Sequence, residues 1–171
     1  MPRFYDKVEL AGSRGGDPTF SVDCKIGRLV EARPFALRVV EDAARFEGAE
    51  RDVVSRLARE PVLCADWRAA DTFPPDVADR LLATLGRPKP RFERLGVLIS
   101  RARAPFSLQV EETLRAAADP SRRSFRDAAE LKAWLSGALD LAERNRMHDF
   151  LIEPVPRTSS SMRMRVVPPP K

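Results

Sequence analysis

Asp66, Trp67 and Arg68 follow the short apolar run at residues 62–65, and Arg101 and Arg103 follow a second run at 95–99. Pro74, Pro75 and Pro105 then open a helix after each run. Proline is tolerated in a first turn because its missing N–H has no intrahelical partner there. Three arginines beside two helix N-termini suit an anion, either a phosphate or the carboxylate of a partner. In an open α/β sheet, ligands bind at this rim, outside the carboxyl ends of the strands. The plainer reading of the same residues is a solvated rim in which Asp66 pairs with a neighbouring arginine.

The remaining reactive side chains are few. His148 is the only histidine. It lies near the end of the last helix, where a cation meets the negative end of the helix dipole. No motif supplies a nucleophile for it to activate, so it is not read as catalytic. Cys24 and Cys64 are the only cysteines. They are read as thiols that pack as small hydrophobes, with a disulfide as the alternative if their strands are neighbours. There is no CxxC pair and no Cys/His cluster, so no metal site is predicted. A glycine-rich phosphate loop, a GxSxG motif and paired carboxylates of evident role are also missing. An enzyme is the weakest reading, and no cofactor is expected.

The elements that must position these residues are legible. Residues 20–24 alternate apolar and polar with the period of a half-buried strand. A turn around Gly27 leads to a second strand at 29–32, giving a hairpin that Pro34 ends. A helix is predicted from about 40 to 59, with Gly48 as a point of weakness. The runs at 62–65 and 95–99 read as strands covered on both faces. Val77, Leu81, Leu82 and Leu85 stripe the helix that Pro75 opens. Phe106, Val110 and Leu114 stripe the next, and Pro120 follows it. A short strand holds Ser124 and Phe125. Asp127 caps the last helix, with Glu130 as its capping-box partner. The apolar pattern runs on to Leu151 and predicts one long helix.

This order predicts an α/β fold: an N-terminal β-hairpin leading into a mixed, partly parallel sheet of four or five strands, packed with four helices. Strands separated by one helix are parallel. Residues 1–17 read as a flexible arm, 18–152 as the domain, and 153–171 as a disordered, basic, proline-rich tail.

Charge follows the same division. The chain has 171 residues, 30 basic and 25 acidic, and a net charge of +5. Composition is globular, which excludes a disordered or fibrous chain. Arginine outnumbers lysine 25 to 5. Arg157, Arg163, Arg165 and Lys171 put +4 after Pro154 with no acidic residue. The body is therefore nearly neutral, which argues against a dedicated nucleic-acid face. The tail residues are candidates for weak contact with nucleic acid or an anionic surface. No apolar leader and no membrane span are read, so the expected location is cytoplasmic.

The hairpin, the strand at 62–65 ending in an acidic residue, the proline-started helix and the strand at 95–99 resemble the STAS / SpoIIAA-like fold. The run Arg123-Ser124-Phe125-Arg126-Asp127-Ala128-Ala129-Glu130, followed by Trp134-Leu135, looks like the last strand and helix of that group. The group is also similar to the SEC14-like (CRAL-TRIO) lipid-binding fold. The resemblance covers about residues 18–152. It implies a module that docks to a partner protein in a bacterial regulatory system. It also implies a switch serine at the start of the helix after the central strand. The equivalent stretch here is Asp71-Thr72-Phe73-Pro74-Pro75, in which Thr72 is the only hydroxyl and the Ser-Gly pair is missing. The leading expectation is a non-enzymatic docking module. The alternatives are a SEC14-like small-molecule or lipid carrier and a weak nucleic-acid binder acting through the tail. Trp134, Leu139, Leu141, Met147, Phe150 and Leu151 form an apolar surplus on the last helix. They predict either a homodimer seam or partner groove, or a helix that wraps its own sheet.

Overall fold

The computed structural model describes residues 18–87, 92–102 and 104–154. The predicted arm, Arg103 and the tail residues Arg157, Arg163, Arg165 and Lys171 lie outside the described residues. Five strands cross the sheet in the order of the chain: β1 (Phe20–Asp23), β2 (Leu29–Pro34), β3 (Val62–Asp66), β4 (Arg94–Leu98) and β5 (Arg122–Phe125). β1 and β2 form the antiparallel hairpin, and β2 through β5 run parallel.

One helix joins each parallel pair: α1 (Val40–Ser55), α2 (Pro75–Gly86) and α3 (Pro105–Ala117). Crossovers of one hand that all step in one direction leave their helices on one face. That face carries the larger core, with Phe46, Leu81 and Val110 over Val30, Leu63, Leu95 and Val97. The other face needs separate cover. It comes from α4 (Ala128–Ser136) and α5 (Leu141–Ile152). Their Leu131, Leu135, Met147, Phe150 and Leu151 pack on Leu29, Val62, Cys64 and Leu98. The result is a mixed α/β fold in three layers.

Two expectations need correction. The single long C-terminal helix is two helices, making five α-helices among the described residues. α4 stops at Gly137, where a Cβ would lie 2.6 Å from the Arg94 guanidinium. α5 restarts at Asp140, whose carboxylate accepts from the Glu143 N–H while Glu143 accepts from the Asp140 N–H. This reciprocal pair is the capping box. At α4, Asp127 caps as predicted but accepts from Ala129 N. Second, α1 ends at Ser55 and runs unbroken through Gly48. Glu153, just beyond α5, is bonded to Arg146 through its side chain and to Arg33 through its carbonyl.

Gly96 lets α4 sit directly on β4. A Cβ there would overlap Leu131 Cδ1 and would lie 3.4 Å from Leu135 Cδ2. Gly96→Ala is expected to cost about 1–3 kcal/mol by overpacking. The shift of the urea midpoint measures this, and an unchanged midpoint would mean α4 is not seated there.

Candidate functional site

The face of the sheet beneath α5 is apolar toward β4 and ionic toward β1. Side chains alternate across the pleat, so residues 29, 31 and 33 of β2 share one face. Leu29 joins the small core, but Glu31 and Arg33 do not. Register sets Asp23 opposite Glu31 and Ser21 opposite Arg33. Asp66, at the end of β3, completes the row. Asp23, Glu31, Arg33 and Asp66 are all buried. Buried charges persist only when paired and hydrogen-bonded.

Asp66 is 1% exposed. Its Oδ2 accepts from Arg33 Nε at 3.0 Å and Arg68 Nη2 at 2.8 Å, and its Oδ1 from Arg68 Nε at 2.8 Å. The two guanidiniums then reach the C-terminal carbonyls of α5. Arg33 donates to Phe150 O and to Glu153 O, and Arg68 donates to Leu151 O. The Arg33 guanidinium also stacks 4.4 Å from the Phe150 ring centroid. The last carbonyls of a helix lack intrahelical donors and carry the negative end of its dipole. Asp66 therefore holds two arginines that cap α5. The ion pair with Asp66 raises the Arg68 pKa above its ordinary value.

The rim residues are thus divided. Asp66 and Arg68 come together, but on each other and on α5. Trp67 is 5% exposed and turned into the larger core, 6.1 Å from Phe106 between ring centroids. Its Nε1 is a buried donor with no partner among the described residues. Neither Asp66 nor Trp67 is available to an external ligand at the rim. Thr72 is exposed in a short 3-10 turn (Ala70–Thr72), and its hydroxyl donates to Ala69 O at 2.9 Å. Arg101 is exposed and pairs with Asp127 at 2.6 Å. Arg126 donates to the carbonyls of Ser100 and Ala102 and fixes that loop. His148 is exposed, with Nδ1 3.3 Å from Lys132 Nζ. The apolar surplus of the last helix is mostly internal. Leu139, Met147, Phe150 and Leu151 are buried, while Leu141 is 72% exposed.

Sequence reasoning missed Arg33, Glu31 and Arg146. Arg146 Nε and Nη2 grip Glu31 at 2.5 and 2.6 Å, and its Nη1 reaches Glu153 at 2.6 Å. Beside them a cleft of about 240 Å³ runs along the hairpin, lined by Ser21, Asp23, Lys25, Glu31, Arg33, Phe35 and Arg146 among others. The available signal was charge at core positions: in Leu29-Val30-Glu31-Ala32-Arg33, alternate residues that share the Leu29 face are ionic.

Both thiols are free. β2 lies between the strand that precedes Cys24 and the strand of Cys64, which removes the neighbouring-strand condition for a disulfide. Burial, aided by the Asp23, Glu31 and Glu143 carboxylates, pushes the Cys24 thiol up from 9.0 to about 11. Burial pushes Cys64 up as well. Among the described residues, no group of three or more His, Cys, Asp or Glu is placed to hold a metal. No helix there is long and apolar enough to cross a membrane.

Two outcomes follow from this arrangement. Asp66→Ala leaves buried Arg33 without its counter-ion and is expected to cost about 3–5 kcal/mol, whereas Arg101→Ala at an exposed pair costs under about 1 kcal/mol. Urea unfolding of both variants checks the contrast. For Cys24 the folded value lies above the unfolded one. Its contribution to stability is complete below about pH 9 and is lost as pH rises toward about 11. Alkaline titration of the unfolding midpoint should show a decline in that window that Cys24→Ala reduces.

No family model, curated protein or solved structure matches the chain.

Proposed function

We propose that this protein is a non-enzymatic, STAS-like docking module that meets a protein partner with the rim at the carboxyl ends of its parallel strands. The observation that carries this reading is where its exposed apolar side chains lie. Val39 at 47%, Leu108 at 41% and Ile152 at 66% exposure are all at that end of the sheet. They sit before α1, in the first turn of α3 and at the end of α5. Arg68 and Thr72 are exposed on the same rim. Large apolar groups in water beside arginine match the composition of protein interfaces, which are apolar at the centre and enriched in arginine. Ile26 and Leu141 are exposed at the opposite end and serve as an internal contrast.

The element order supports the STAS-like assignment, and the cytoplasmic bacterial signalling setting comes from that resemblance. The SEC14-like alternative has less support. The cleft beside β1 is about 240 Å³, and Phe20, Val22, Phe35 and Phe150 line it together with Asp23, Lys25, Glu31, Arg33, Arg146 and Glu153. Small-molecule pockets are mostly apolar and run to roughly 300–1,000 Å³. The nucleic-acid alternative rests on the tail arginines alone.

The test is affinity capture from a bacterial lysate on immobilised full-length chain, read by mass spectrometry. A protein retained by the wild type and by Leu141→Asp should be lost when Val39, Leu108 and Ile152 are all changed to Asp. Circular dichroism should show the fold retained in each. Retention of the same protein by the triple variant would contradict a docking rim.

A further inference from the structure

β1 is an edge strand: among the described residues no strand lies beyond it. Thr19 O accepts from Phe35 N, and Ser21 stands opposite Arg33. In an antiparallel ladder only alternate residues turn their backbone groups to the partner strand. Residues 19, 21 and 23 therefore face β2, and the N–H and C=O of Phe20 and Val22 point off the edge of the sheet. A bare edge shows that row to water. Phe20 and Val22 are nevertheless 2% and 1% exposed. At that level the main chain is covered along with the side chain, and covered backbone groups need hydrogen-bond partners.

The segment that leads into β1 is the nearest source of such partners. The N–H groups of Phe35 and Ala36 both donate to Thr19 O, which fixes the entry to β1 beside the end of β2. Upstream, Arg3-Phe4-Tyr5-Asp6-Lys7-Val8-Glu9-Leu10 divides with period 2. Phe4, Val8 and Leu10 fall in one set with Asp6, and Arg3, Tyr5, Lys7 and Glu9 fall in the other. β1 is divided in the same way. Phe20 and Val22 join the larger core with Phe46 of α1, while Ser21 and Asp23 stand opposite Arg33 and Glu31 on the α5 side. A strand beside β1 must match both faces, because a slip of one residue exchanges them. Residues 11–17 include Gly12, Gly15 and Gly16, which suit a reversal of the chain.

We propose that the β1 edge is a strand-accepting surface, and that residues 3–10 of the same chain are the strand it takes, antiparallel to β1. Their apolar set then extends the core beneath α1, and their charged set lies on the ionic side. Arg3, Lys7 and Glu9 also make a safer outer edge than β1, because charge blunts edge-to-edge pairing between molecules. The segment after Pro154 starts at the same cleft, but Pro154 and Pro156 lack the N–H that a ladder needs. The pairing is independent of the docking rim, which lies at the ends of the strands rather than along this edge.

Nuclear magnetic resonance of the isotope-labelled full chain tests it. Cross-strand proton contacts should join residues 3–10 to residues 20–22, and the Phe20 and Val22 amides should exchange slowly. Changing Lys7→Pro and Val8→Pro together removes a donor from the ladder whichever way the strand faces, because consecutive N–H groups point to opposite sides. Exchange at Phe20 and Val22 should then quicken about tenfold, the scale of one lost hydrogen bond, while β3 and β4 keep their wild-type rates. Wild-type contacts decide the outcome even where the double variant unfolds. Absence of contacts between residues 3–10 and β1 would overturn the proposal, as would contacts to β1 from residues 155–171 instead. So would contacts found only between labelled and unlabelled chains in a mixed sample, which would make the strand a second copy's.

Discussion

Asp66 ends the central strand β3 with a carboxylate that is 1% exposed and shared by Arg33 and Arg68. Removing a carboxylate from water costs several kcal/mol, so this one needs its cations. The cations in turn need geometry, which β2 supplies by placing Arg33 next to Asp66 and the following turn supplies by folding Arg68 back. Their remaining donors point at Phe150, Leu151 and Glu153, so the end of α5 is fixed by groups that the sheet must hold anyway. The ionic half of the second layer depends on this carboxylate at the end of α5 and on the Glu31–Arg146 pair one turn earlier. Its apolar half rests on Gly96, Leu131 and Leu135.

The same chemistry recurs across the fold. Arg94 donates to Trp134 O and Arg28 to Ala138 O near the end of α4. Arg122 donates to Leu85 O at the end of α2, and Arg144 to Leu139 O in the turn before α5. Helices often end with a residue in the left-handed conformation that satisfies these carbonyls. Here α3 does so, with Ala118 at φ 49°, while arginines serve α2, α4 and α5. A planar fork with five donors suits that task better than an ammonium, which fits the excess of arginine over lysine. Part of the basic composition therefore works inside the domain, at the ends of its helices.

Legibility followed the strength of each local signal. The five strands were readable because β3 and β4 are unbroken apolar runs and the hairpin alternates. The helices that prolines open were readable for the same reason. The break between α4 and α5 was written as Asp140-Leu141-Ala142-Glu143, a capping box, but the apolar pattern continued across it and hid it. Of the rim residues, Trp67 faces the core and Asp66 faces α5. Which side of a strand end a residue takes depends on what covers each face. That cover comes from a helix about eighty residues later in the chain, at a distance no local pattern encodes. Arg33 was hidden by its neighbour Pro34, which drew attention to the end of the strand rather than to the charge beneath α5.

The central claim is that the Asp66–Arg33 pair anchors the C-terminal layer. A double-mutant cycle with Asp66→Leu, Arg33→Met and the two together measures it directly, by urea unfolding of the full chain. Each single change should cost about 3–5 kcal/mol, and the double variant should recover most of that loss, because matched apolar groups replace a buried pair without leaving a charge behind. Additive losses, with coupling below about 0.5 kcal/mol, would mean the two side chains act independently, and the account would fail.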